Sequence, residues 1–319
     1  MRRIESWKQL CTGFVFAPAA DAWLGVLRIG LGLQVILYCC SIGQDWNYLL
    51  ASHGGLISRN LSETLLSLES PLVPRLGWLV TIGARFGVNE ATVLTFVWFG
   101  LVAAGCLLIL GIFSRTAAIL GWLLHLGAVK SGNLVSYGMD NLTTIGLFYL
   151  MLSPLPDRFS LDWLWHKPAA QDRHLLGFWR RMLQIHLCLI YFYGGVAKCV
   201  SSDWWNGTNL WRALIRPPFD LLSADALIRF KHLFPIAGSV ICLLEIGYPF
   251  FIWNRQLRRP WLIAIVAMHL GIGIAMGMYL FASIMLILNL AAFGPGILWP
   301  EKQPPELSRT LPVLGTPRN

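Results

Sequence analysis

In the run LQIHLCLIYFYGGVAKCVSSDWWNGTN, from Leu183 to Asn209, the residues Gln184, Cys188, Tyr191, Gly195 and Lys198 step by four and by three. That spacing sets them on one stripe of an α-helix, with the lysine placed where the apolar run gives out. A lysine there has two readings: an anchor at a membrane interface, or an amine desolvated enough to lose its proton and act as a base. Arg28, His125, His186, Glu245 and His269 also fall inside apolar runs, where a charge is costly unless it is paired or hydrated. Each histidine reads either as a neutral imidazole bonded to a neighbouring helix or as a proton carrier. His269 stands out because glycines follow it at 271, 273 and 277, which allows close helix approach or a cavity beside it. By the helical rise, Arg28 and Glu245 lie about 9 Å and about 12 Å from the same membrane edge. That match suits a buried ion pair; the alternative is an Arg28 that snorkels to the surface. The seven cysteines show no metal-ligand spacing and no disulfide framework. They read as small core residues, and no metal is expected.

The elements that position these residues follow from composition. Of 319 residues, 56% are hydrophobic, 13% are charged and 15 are tryptophan, too apolar a set for one water-soluble core. The chain reads as an all-α integral membrane protein, a polytopic helical bundle of about eight transmembrane helices with interfacial helices on the external face. The predicted spans are 22–42, 91–113, 116–133, 140–154, 177–200, 233–253, 260–276 and 277–293, the last two separated near the glycines because 34 residues exceed one tilted crossing. The stretch 43–90 is too polar to span and too apolar to be fully solvated, so it reads as re-entrant or interfacial helices. Residues 1–21 hold no apolar core of signal-peptide length, and insertion is expected to begin at the first span. A net charge of +9 would point to nucleic acid in a soluble protein, but here the basic residues sort by loop, so the partner is the lipid bilayer and no nucleic acid is expected. Of the 25 Lys and Arg, 15 fall on the N-terminal side and 9 on the other. This bias places both termini in the cytoplasm of a multi-pass inner-membrane protein, with Lys198 at the external end of its span. The expected domains are an N-terminal cytoplasmic segment 1–14, a transmembrane domain 15–295 and a Pro-rich, disordered tail 296–319.

The stretch YFYGGVAKCVSSDWWNGTNL resembles the lysine-bearing segment of vitamin K-dependent gamma-glutamyl carboxylase: an aromatic pair, Gly-Val, the lysine, then Asp-Trp and Gly at matching intervals. LGIFSRT, with Arg115, is similar to that family's Gly-x-x-x-Arg turn, DRFSLDWLW to the loop before the lysine helix, and MHLGIGIAMGMYLFASIML, with His269, to its closing helices. Over roughly residues 15–295 the chain resembles the horizontally transferred transmembrane (HTTM) domain family.

The resemblance implies an external-face enzyme, a gamma-carboxylase-like lyase and quinol epoxidase. Lys198 would be its general base, and His269 would assist the quinone chemistry. It implies a reduced quinone (vitamin K hydroquinone or menaquinol) with O2 and CO2, and it assigns Gln184, Tyr191, Asn133 and Trp204 to quinone binding. Arg28, Arg115, Asp140 and Glu245 are expected as buried structural polar residues. Asn133 stands where the carboxylase has a second active-site histidine, and the short tail implies a separate docking protein for an exported peptide substrate. The alternative is a non-catalytic maturation or chaperone partner for a secreted peptide, similar in size to the sporulation-delaying protein B type. Catalysis predicts a cavity of roughly 300 Å³ or more lined by both Lys198 and His269; the alternative predicts Lys198 in bulk water.

Overall fold

A computed structural model describes residues 2–53, 58–132, 136–165, 171–218 and 220–295, and every regular element among them is an α-helix. In chain order these are α1 (Arg2–Val15), α2 (Ala22–Ile42), α3 (Trp46–Leu49), α4 (Arg59–Glu69), α5 (Leu76–Arg85), α6 (Glu90–Leu110), α7 (Ser114–Ser131) and α8 (Gly138–Leu152). They continue with α9 (Leu161–Trp165), α10 (Arg173–Cys199), α11 (Ser202–Trp205), α12 (Thr208–Ile215), α13 (Ala224–Arg229), α14 (Leu233–Phe251), α15 (Arg258–Met276) and α16 (Tyr279–Phe293). Five of them, α2, α6, α10, α14 and α15, are long and apolar enough to cross a membrane. Among the described residues the fold is all-helical, with helices apolar enough to sit in a lipid bilayer. The run 260–293 is two helices, because Gly277 adopts φ 68° between α15 and α16, a left-handed conformation that glycine takes without steric cost.

Helix ends are set by local chemistry. The Asn89 side chain accepts from Thr92 N at 2.8 Å to start α6, and Gly111 at φ 71° ends it. In the turn that follows, the Asp162 carboxylate accepts from the backbone N–H groups of Phe113 and Ser114 and from Ser114 Oγ. Arg115 then reaches across to donate to Met151 O and Ser153 O, occupying carbonyls that the last turn of α8 leaves without helical partners. Arg115 is exposed where burial was expected. It bonds along the edge of the turn without entering the bundle.

The centre of the bundle is α2, whose Trp23, Leu24, Leu27, Arg28, Leu31 and Val35 are all at 0% exposure. It packs against α6, α8 and α16, while α10 packs on α14 and α16, and α7 lies between α6 and α8. A Cβ on Gly32 would sit 2.7 Å from Gly105 O, and one on Gly105 would sit 2.9 Å from Gly32 O. So α2 and α6 cross backbone on backbone, the contact that small residues permit where lipid supplies no hydrophobic drive between helices.

Arg28 does not pair with Glu245. Its Nε and Nη2 bond the Asp157 carboxylate at 2.6 Å and 3.2 Å, with both side chains at 0% exposure. Its Nη1 donates to Leu108 O and to Ile109 O, carbonyls in the last turn of α6. The depth expected from the helical rise did not decide the partner, because rise says nothing about which way a side chain faces. Asp157 comes from the loop after α8, which folds in beneath α2. One guanidinium thus ties α2, the end of α6 and that loop together. Arg28→Met and Asp157→Asn are each expected to destabilise the protein by about 3–5 kcal/mol, because each strands a buried charge, with partial recovery in the double variant. Thermal unfolding of the detergent-solubilised protein measures this, and additive losses in the double variant would contradict the pairing.

Candidate functional site

The stripe expected on α10 is real: Gln184, Cys188, Tyr191 and Gly195 are buried, and the Lys198 side chain retains 24% exposure at the helix end. What buries the lysine end of the stripe is α14. A Cβ on Gly195 would lie 2.5 Å from Ile246 N, and one on Gly194 would lie 3.2 Å from Glu245 Oε2 and 3.7 Å from Lys198 Nζ. Two adjacent glycines therefore let α14 close onto α10 and leave room for a carboxylate beside the amine. Lys198 Nζ donates to Glu245 Oε2 at 2.6 Å, with the Glu245 side chain at 11% exposure. Beyond the end of α10, the backbone of Trp204 in α11 abuts Gly238 of α14, where a Cβ would meet Trp204 O at 2.1 Å. The Trp204 ring centroid stands 5.4 Å from Lys198 Nζ, within cation–π range. The lysine is thus covered by the short helices that follow it.

About 10 Å further along α10, by the helical rise, lies a second polar cluster. The Tyr191 hydroxyl bonds His269 Nε2 at 2.8 Å and accepts from Asn289 Nδ2 at 2.8 Å. Tyr248 donates its hydroxyl to Asn289 Oδ1 at 2.7 Å, and its ring stacks on Tyr191 with centroids 4.1 Å apart. Asn289 also donates to Met285 O at 2.8 Å. Asn289 Nδ2 can only donate to the Tyr191 oxygen, so we assign the hydroxyl proton to His269 Nε2, which leaves the single N–H of the neutral imidazole on Nδ1. That Nδ1 is buried and has no partner. Histidine, two tyrosines and an asparagine from α15, α10, α14 and α16 so form one network in the core.

The other expected residues divide by location. Gln184 Nε2 donates to Ala292 O at 2.7 Å, and its Oε1 accepts from Arg181 Nη1 at 2.9 Å. His125 Nδ1 bonds Thr144 Oγ1 at 3.0 Å, and His186 Nδ1 bonds the Tyr149 hydroxyl at 3.1 Å. All three histidines within the bundle therefore bond a hydroxyl on a neighbouring helix. Asn133 lies outside the described residues. Asp140 caps the start of α8 by accepting from Tyr137 N at 2.8 Å. It also lines a cavity of about 360 Å³ enclosed by the ends of α2, α7 and α8 and the α15–α16 turn, and neither Lys198 nor His269 is among that cavity's walls. Among the cavities formed by the described residues alone, this one does not have Lys198 and His269 as joint walls, and Lys198 does not point into bulk water, since its amine bonds Glu245 and its side chain is 24% exposed. Sequence reasoning missed Asp157, Tyr248 and Asn289. The one signal for Asn289 was a single amide in the apolar run MLILNLAAF.

No protein-family model, curated protein or solved structure matches this chain.

Asn289 is the hub of the deeper network. Asn289→Leu is expected to leave the Tyr191 and Tyr248 hydroxyls each short of a partner, at about 1–3 kcal/mol for a stranded buried group. The loss should shrink when Tyr248→Phe is added, because the phenylalanine no longer needs the amide. Unfolding midpoints of the two single variants and the double variant read this coupling, and strict additivity would remove Asn289 from the network.

Proposed function

We propose that this protein is a membrane enzyme of HTTM, gamma-carboxylase-like type, in which Lys198 removes a proton from a lipophilic acidic substrate of the quinol class. The observation that carries this reading is the 2.6 Å contact of Lys198 with Glu245 beneath Trp204. The contact sets a carboxylate within hydrogen-bond reach of the amine, so an acceptor for the lysine's proton stands beside it. Glu245 Oε2 is the oxygen that takes the lysine's proton, and Lys198 Nζ then carries a free lone pair. The amine next to an aromatic face suits a phenolic ring. Gln184 and Tyr191 act differently from the expectation for them: their polar atoms are engaged with Ala292, Arg181, His269 and Asn289, so in this reading they hold α10 in place instead of contacting a quinone. A bound quinol would supply, with O2, the oxidation that drives carboxylation by CO2. The chain's own part is to hold the proton acceptor, shield it under the cap and fix its helix.

In this reading the bundle crosses the inner membrane eight times with both termini in the cytoplasm, and α4, α5 and α13 lie on the external surface. Support comes from the side chains those helices leave uncovered: Leu65, Leu68, Ile82, Phe86, Ile228 and Phe230 are all more than half exposed, as fits helices resting at a lipid interface. The same faces favour the second reading, a non-catalytic partner that holds an exported peptide there. A green fluorescent protein fused to the C terminus should fluoresce, and alkaline phosphatase fused after Arg216 should be active; the reverse pattern would invert the topology.

Lys198→Arg separates the two functional readings. Arginine keeps the positive charge and the Glu245 contact but does not lose its proton. Lys198→Arg and Lys198→Ala should both abolish epoxide formation from menaquinol in proteoliposomes while the protein remains inserted and folded. A base contributes about 10²–10⁴-fold, so retention of more than about a tenth of the activity would sink the base assignment. If Lys198→Met is tolerated for peptide maturation while substitutions in 43–90 or 201–232 are not, the partner reading stands. Lipid extraction of the purified protein tests for a co-purifying quinone.

A further inference from the structure

We propose that the cavity at the ends of α2, α7 and α8 is a binding site for a small organic ammonium ion. At about 360 Å³ it falls in the lower part of the range for ligand pockets, roughly 300–1,000 Å³. Its walls include four aromatic rings, Tyr38, Trp46, Tyr137 and Tyr279, and Asp140 is the one charged residue in them among the described residues. Asp140 is 3% exposed. Its carboxylate accepts the Tyr137 N–H, and no Lys, Arg or His pairs with it among the described residues. A buried carboxylate without a counter-ion is an expensive arrangement. Aromatic faces attract a cation through their quadrupoles and suit alkylammonium groups, whose charge is spread over carbon. Together, rings and carboxylate select a positively charged, partly apolar ligand, and with no cation in the walls the cavity disfavours an anion.

The walls are built to keep their shape. Trp46 Nε1 donates to Leu94 O at 2.8 Å, and Tyr38 packs edge-on against the fully buried His125 with ring centroids 5.0 Å apart. Tyr137 and Tyr279, at 40% and 63% exposure, form the rim, so the floor is preformed and the mouth is open. Asp140 has a competing role as the cap of α8, which the helix dipole favours. The site does not depend on the Lys198 reading, since Lys198 is absent from its walls.

The test is calorimetric titration of the full-length protein in a maltoside detergent with choline and with dimethylbutanol, choline's neutral carbon isostere. Choline is expected to bind at least about tenfold more tightly than the alcohol. Asp140→Asn, which keeps an acceptor for the Tyr137 N–H, should weaken choline by at least about tenfold at an unchanged unfolding midpoint. Tyr279→Leu at the rim should weaken it by about fivefold, and reports even if the change at 140 harms folding. A lipid headgroup carries the same cation, so dihexanoylphosphatidylcholine is titrated in parallel. Binding of choline assigns the site to a free amine; binding of the phospholipid alone assigns it to a headgroup. No binding of either, equal binding of the alcohol, or indifference of a folded Asp140→Asn protein would overturn the proposal.

Discussion

At Gly195 two helices meet with backbone against backbone, and the polar site depends on that contact. In a bilayer the lipid tails are as apolar as leucine, so helices associate through close packing and hydrogen bonds and gain little from excluding water. With 2.5 Å between a would-be Cβ and Ile246 N, even alanine would push α14 away. The Glu245 carboxylate would then leave Lys198, and both charges would face the cost of solitary burial. The same device recurs at Gly32 and Gly105, which bring α2 and α6 close enough for Arg28 to reach the last carbonyls of α6. Close backbone contact is what lets such short polar links form inside an apolar bundle.

The apolar helices could be read from sequence because their lengths are dictated by the membrane. The first span, 22–42, coincides with α2, and the break near the glycines of 260–293 falls at Gly277. The stripe on α10 could be read for a similar reason: a spacing of three and four leaves no choice of face. Partners could not be read. Arg28 and Glu245 had similar depths, yet depth is one coordinate of three, and the carboxylate that reached Arg28 sat in a charged and aromatic loop whose composition suits the membrane surface and gives no sign of a buried acid. Asn289 was passed over because one amide in an apolar helix gives no sign of the two helices whose tyrosines it bonds. The Lys198–Glu245 contact was missed for a geometric reason. Lys198 ends α10, but Glu245 lies near the middle of α14, which continues past it beneath the covering helices.

Hydrogen-bonding capacity separates scaffold from candidate chemistry in this bundle. A membrane interior tolerates a polar group when its capacity is used within the protein. Gln184 bonds through both its amide nitrogen and its oxygen, Asn289 joins two tyrosines to its own helix, and the Arg28 guanidinium is divided between a carboxylate and two carbonyls. Such residues have little left to offer a ligand, and their roles are mechanical.

A smaller set keeps capacity in reserve. The Lys198 ammonium has three donors and bonds Glu245 with one of them, under an aromatic ring and with 24% of the side chain still exposed. His269 holds one ring nitrogen in the network and leaves Nδ1 unpartnered in the core. Asp140 sets a carboxyl group against a cavity and spends an oxygen on a helix cap. Unused capacity at a buried position has a standing energetic cost. Trp23 Nε1, Gln34 Oε1, Trp122 Nε1 and His125 Nε2 carry the same cost without a partner among the described residues, so an open position alone marks no site; what distinguishes the two reserves is their chemistry, since an amine with its acid and a carboxylate among rings call for ligands of opposite character.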